Sequence, residues 1–312
     1  MCAEWVGCEG FNPDRDIVAP GHDVPNMPPL FNGRMHSTVS APTWHQPLLQ
    51  ALHTKGTAAA LAVARKMIEA KPLSLFFTGS FRFPGQEGNM QYSLGVRQAL
   101  QVWMADFKSA HCPEQGNSTK LGSDAAKGME LPSPVLADGS AKPQQQRYLE
   151  EQEFNLKVAV KHACMGALVV EHLERDGYDV GRPYMAALDG SKVCIAPPGW
   201  GWGMRLVTYA AHGCIPLIIQ DAVPQPFEEL LPYDQFSLRA TKADIASGAM
   251  WRMVSGLSKE RLAQLLLGLA QHRGALMWQP EHGGSAYEHT LELLRRRVEQ
   301  LRASGKVQGT RL

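Results

Sequence analysis

The sequence predicts an α/β protein, a parallel sheet with helices packed on its faces. Three observations predict it. The run Leu73-Ser74-Leu75-Phe76-Phe77 is apolar, short and followed by a turn, as a strand buried on both faces is. Residues 191–219 pass through an apolar run, a glycine-rich turn, a helix-spaced segment, a glycine and a second apolar run. Two amphipathic patterns at helical spacing, 259–272 and 287–302, close the chain.

Composition agrees with a globular protein. The chain has 312 residues, 44% of them hydrophobic and 20% charged, enough for one large domain or two modest ones. A net charge of +1 supplies no global field for nucleic acid or an anionic membrane. The one basic run, Arg295-Arg296-Arg297, reads as a solvated helix face. The cysteines are Cys2, Cys8, Cys112, Cys164, Cys194 and Cys214, without a CxxC pair or zinc-ligand spacing, so no metal site is expected. Cys194 and Cys214 stand in apolar runs, where a free thiol and a bridge are both open. No apolar stretch approaches the roughly 18 residues that span a bilayer, and no signal-peptide core precedes residue 30.

The elements follow in order. Residues 1–45 are expected to be an irregular interlobe segment, of which 1–29, rich in Pro, Gly, Asp and Asn, read as a loop or interdomain strand that has lost what preceded it. Residues 46–312 form the main lobe. A helix is expected over 57–70, ended by Pro72, then the strand at 73–77 and a second helix over 93–105. Residues 108–146 are low in large apolar side chains and read as a surface insertion. Alternation over 154–160 suggests a strand, and 163–175 a helix. Met250-Trp251-Arg252-Met253 reads as core and cover.

The chemistry concentrates after Ser191. A strand over 191–196 enters Pro197-Pro198-Gly199-Trp200-Gly201-Trp202-Gly203, which opens onto a helix over 204–212. Gly213 suits the residue after that helix, and His212 suits its C-terminal dipole. A glycine turn before a helix N-terminus offers backbone N–H donors and the positive end of the dipole, the setting for a diphosphate. Arg205 adds a guanidinium in the first turn, where only a bound anion offsets its poor fit to the dipole. Trp200 and Trp202 either stack on a base or sugar or cover the turn. The pattern is neither GxGxxG nor a P-loop, so hydride transfer and ATP hydrolysis lose support.

The segment from Ser191 through His212-Gly213-Cys214-Ile215-Pro216 to Asp221 resembles the signature of the exostosin (family 47) glycosyltransferases. Pro226-Phe227-Glu228-Glu229-Leu230-Leu231 and Tyr233-Asp234-Gln235-Phe236-Ser237-Leu238-Arg239 continue the resemblance. So do Arg15-Asp16-Ile17-Val18-Ala19-Pro20, Leu75-Phe76-Phe77-Thr78-Gly79-Ser80-Phe81-Arg82 and Tyr92-Ser93-Leu94-Gly95-Val96-Arg97-Gln98. The resemblance implies the C-terminal, Rossmann-like lobe of a GT-B enzyme, with the acceptor lobe and a membrane anchor expected to be missing from this chain. It implies inverting, metal-independent transfer from a nucleotide sugar, commonly a UDP-sugar, to a glycan acceptor in the Golgi lumen, with no cofactor and no nucleic-acid partner.

Residue by residue, the resemblance places the donor on Gly79, Arg82, Gly199, Gly201, Gly203, Arg205 and Thr208. Gly79 would admit phosphate to the loop after the first strand, and Arg82 and Arg205 would carry its charge. Many members have Glu where this chain has Thr208, a hydroxyl with one oxygen and no charge. No catalytic base is assigned; His22, Asp23, His36 and His45 read as solvated loop residues.

Overall fold

The computed structural model describes residues 18–20, 43–81, 92–115, 120–121, 133, 136, 140, 142–173, 181–199, 205–221 and 223–304. Its elements are α1 (Gln46–Lys55), α2 (Thr57–Glu69), β1 (Leu73–Thr78), α3 (Val96–His111), β2 (Lys120–Leu121), α4 (Gln144–His162), β3 (Ala167–Val170), β4 (His172–Leu173) and α5 (Gly181–Asp189). There follow β5 (Ser191–Ala196), α6 (Arg205–His212), β6 (Ile215–Ile218), α7 (Tyr233–Phe236), β7 (Leu238–Arg239), α8 (Lys242–Ala246), α9 (Ala249–Ser255), α10 (Lys259–His272) and α11 (Ala286–Ala303).

Five strands form one parallel sheet in the order β3-β1-β5-β6-β7, and β2 pairs with β4 apart from it. Leu75 stands between Ala167 and Val193, and Val193 pairs onward with Ile215. Side chains alternate across this sheet because the strand period is two. Leu75, Phe77, Val193 and Ile195 face a core shared with α2, α3, α9 and α10. Phe76, Leu168, Cys194 and Ala196 face the opposite core, closed by α4 and α5. A third cluster joins α6, the 227–236 segment and α11. Both faces are covered, which is why the strands read as continuous apolar runs.

Most expected elements form close to their expected bounds, and four readings need correction. The 154–160 stretch is helical, part of α4. Phe154, Leu156, Val158 and Val160 imitate strand alternation, but Phe154, Asn155 and Ala159 are the buried residues while Val160 is exposed, a helical pattern. The 163–175 stretch holds strands β3 and β4. Left-handed Met165 and Gly166 turn the chain there, and all four residues of β3 are buried. The second helix, α3, starts at Val96 and runs to His111, and α4 starts at Gln144, so both ends of the stretch expected as a surface insertion, 108–111 and 144–146, are helical. Finally, Arg295 and Arg296 are solvated and held by Glu292, but Arg297 is buried on the Leu293 face and donates to Glu229 Oε1 at 2.7 Å. Helices α1, α5, α7, α8 and α9 had no expectation. As expected, Met250 is buried and Trp251 packs against the core.

Two disulfides staple the layers. Cys112–Cys164 ties the end of α3 to the entry of β3, and Cys194–Cys214 ties β5 to the entry of β6. Among the described residues, no helix is long and apolar enough to cross a membrane.

Candidate functional site at the sheet's switch point

In chain order the five strands are arranged 2-1-3-4-5. The chain leaves β1 toward one side to make β3, then crosses to the other side to make β5. The loops after β1 and β5 therefore diverge, and α/β sheets bind ligands in the crevice this leaves at the carboxyl ends of the strands. The loop after β1 begins at Gly79 and the loop after β5 at Pro197. Two stretches that carry candidate donor residues thus meet at one crevice.

Arg205 is the first residue of α6. Its guanidinium carbon lies 4.8 Å from the Phe77 ring centroid, and its Nη1 donates to the Tyr209 hydroxyl at 3.3 Å. Tyr209 Oη in turn donates to Ile195 O at 2.9 Å, inside β5. A Cβ at Gly79 would collide with Arg205 Nη2, and Gly79 has φ +147°. The glycine therefore makes room for the arginine itself, where the sequence suggested room for phosphate. Tyr184 on α5 couples to the same group: burial pushes its hydroxyl pKa up, Tyr209 adds to the rise and Arg205 opposes it.

Arg97, on α3, is buried and binds both loops. Its Nη1 donates to Ser80 O at 3.1 Å and its Nε to Pro198 O at 3.2 Å. Its guanidinium carbon lies 5.8 Å from the Phe77 centroid, so two cations share a ring near the end of β1. Ser93, also buried, donates its hydroxyl to Pro198 O at 2.7 Å and its N–H to Gly199 O at 3.3 Å. Ser93, Leu94 and Gly95 are successive left-handed residues, with φ of 58°, 51° and 74°. For Ser and Leu that conformation costs roughly 1–2 kcal/mol each. On the far side of β5, Gln220 donates to Ala196 O at 3.2 Å and accepts from Gln225 Nε2 at 3.3 Å.

Gly79, Gly199 and Arg205 thus gather at the crevice, and Thr208 lies one turn into α6, partly buried. Arg82, Gly201, Gly203, Trp200, Trp202, His22, Asp23 and His36 lie outside the described residues. His45 caps the start of α1, with its Nε2 3.1 Å from Arg273 Nη1. His212 ends α6 as expected, and its Nδ1 meets Asp189 Oδ1 at 2.7 Å. Ser93 and Arg97 stand in a family-like stretch from which sequence reasoning drew no role for them, and Gln220 was passed over. The signal was the polar residue pair in an otherwise apolar helix start. Among the described residues, no three His, Cys, Asp or Glu side chains group as metal ligands.

Comparison with known proteins adds to this geometry. A model of the Exostosin GT47 domain matches residues 37–255. The probable β-1,4-xylosyltransferase IRX10 of Arabidopsis thaliana is 29% identical over 109 residues, 34% of this chain and 26% of its own length. A probable glucuronoxylan glucuronosyltransferase of Arabidopsis thaliana is 28% identical over 120 residues, 37% of this chain and 25% of its own length. A probable glucuronosyltransferase of Oryza sativa subsp. japonica is 31% identical over 107 residues, 34% of this chain and 25% of its own length. The aligned segments thus span about a quarter of these relatives.

Proposed function

The chain belongs to the exostosin GT47 family, and from that premise we propose that it binds a nucleotide sugar at the switch-point crevice for glycosyl transfer to a glycan. One observation carries the proposal: Gly79 on one stretch of sequence and Gly199 and Arg205 on another converge where α/β sheets bind ligands. The diphosphate of a UDP-sugar fits the donors gathered there. Arg205 at the start of α6 supplies a forked cation, and the N–H groups of that helix's first turn lie at the positive end of its dipole.

In transfer, an acceptor hydroxyl attacks the sugar's anomeric carbon while the bond to the diphosphate breaks. The leaving group gains negative charge as it departs, so cations and amides fixed around it lower the barrier. Inversion at the anomeric carbon, independence of a metal ion and the GT-B arrangement are part of the proposal. Gly79, Arg82, Gly199, Gly201, Gly203, Arg205 and Thr208 are its donor residues. We place the protein in the Golgi lumen, an oxidising setting in which Cys112–Cys164 and Cys194–Cys214 persist.

The relatives are named for xylosyl and glucuronosyl transfer, so UDP, UDP-xylose and UDP-glucuronic acid are the ligands to titrate calorimetrically against the folded chain. Saturable binding of UDP, weakened roughly tenfold or more in Arg205→Ala, is the expected outcome. A folded sample that takes up none of the three refutes the proposal. Thr208 favours a second reading, a nucleotide-sugar-binding module without turnover. Under it, donor binds and no sugar reaches xylan oligosaccharides, whereas transfer by the chain excludes it.

A further inference from the structure

The stretch Ser93-Leu94-Gly95-Val96-Arg97 has a geometry that donor binding alone leaves unexplained. Three successive left-handed residues are rare outside glycine, and two of these carry side chains. The strain persists because surrounding contacts hold it. Ser93 is fully buried, and Lys242 Nζ donates to Leu94 O at 3.3 Å. The turn delivers three donors onto two adjacent carbonyls: the Ser93 hydroxyl and Arg97 Nε reach Pro198 O, and the Ser93 N–H reaches Gly199 O. Arg97 Nη1 holds Ser80 O on the opposite loop.

Peptide planes translate this into a direction for the amides. No peptide bond among the described residues is cis. In a trans peptide the C=O and the following N–H point opposite ways. With Pro198 O drawn toward Ser93 and Arg97, the Gly199 N–H is turned to the other side of the loop, away from α3. A flip of that plane would break two hydrogen bonds in a buried setting, where unmade bonds are costly.

We propose that Ser93 and Arg97 are positioning residues: a strained strap that locks the 198–199 peptide so that the Gly199 amide donates to the donor diphosphate, and that holds the two crevice loops at fixed spacing. This rests on the nucleotide-sugar reading and adds to it the pair that sets the amide's direction. The strap touches no substrate. Its effect passes through Gly199.

Ser93→Gly separates positioning from mere structure. Glycine takes the left-handed conformation freely, so the variant keeps or raises its melting temperature while losing the hydroxyl that pins Pro198 O. UDP titrated into the full chain is expected to bind about tenfold more weakly to Ser93→Gly, in a protein at least as stable as the wild type. Arg97→Lys, which can reach one carbonyl at a time, is expected to weaken UDP by a similar factor. Wild-type affinity in folded Ser93→Gly overturns the strap, whatever Arg97→Lys does to folding. Failure of the unsubstituted chain to bind UDP overturns the nucleotide-sugar reading and the strap together, so the two failures are distinguishable.

Discussion

At Gly79 the backbone and a neighbour make the same demand. A φ of +147° belongs to glycine, and the space a side chain would take is held by the Arg205 guanidinium. Gly79→Ala therefore pushes Arg205 off its place over Phe77. The strained backbone costs about 1–3 kcal/mol, read as a lower unfolding midpoint, while UDP affinity falls roughly tenfold or more. If UDP binds Gly79→Ala as tightly as wild type, Arg205 is not a donor ligand. The need for glycine was legible in the sequence. Its reason was not, because the arginine that fills the space lies 126 residues further on, its position set by α6. Ser93 shows the opposite case: nothing in its identity announces a left-handed residue, and only its contacts with Pro198 and Gly199 explain one.

Elements with one clear period were legible, and those with two were not. Helix α10 occupies the expected 259–272 and strand β5 the expected 191–196, since burial on one stripe or on both faces leaves a single reading. In α4, apolar residues at every second position overlap a helical stripe, and only packing against α5 and the sheet decides between them. Helix α11 carries a similar ambiguity in its faces. Ala286, Leu293 and Arg297 are buried, while Tyr287, Leu291, Leu294 and Val298 form an exposed apolar stripe. Leu293→Ala is accordingly expected to cost roughly 2–4 kcal/mol, and Leu294→Gln to change stability by about 0.5 kcal/mol or less. Urea unfolding of the two variants tests the assignment, and equal losses would reverse it.

Across the whole molecule, stability has a pH dependence set by buried groups. Lys71 stands just before β1, and its ammonium donates to Asp189 O, the last carbonyl of α5, at 2.6 Å. Burial pulls its pKa down to about 8, with Asp189 opposing the shift. In that range the unfolded chain holds the proton more tightly, so unfolding free energy rises as pH climbs from about 8 toward 10, by at most about 3 kcal/mol. Tyr184 and Tyr233 act the other way at higher pH, because burial raises both hydroxyls and the unfolded chain ionises first. Denaturation midpoints between pH 7.5 and 9.5 should climb in the wild type and flatten in Lys71→Met. A wild-type midpoint that falls across this interval contradicts the assignment.

The disulfides also belong to the whole molecule. Cys194 and Cys214 are 20 residues apart and Cys112 and Cys164 are 52 apart, and each pair meets only once the sheet has formed. Sequence alone left the choice between thiol and bridge open, since hydrophobic surroundings suit both. What the sequence determined by itself was local: strands buried on both faces, helices of one period, a glycine turn entering a helix, and the family those motifs resemble. The tertiary structure decided which strands are neighbours, and so which loops face one crevice. That order depends on contacts between distant segments, which period and composition do not encode. It is why Gly79, Gly199 and Arg205 could be named singly from the sequence, and why Arg97 and the gathering of Gly79, Arg97 and Arg205 around Phe77 could not.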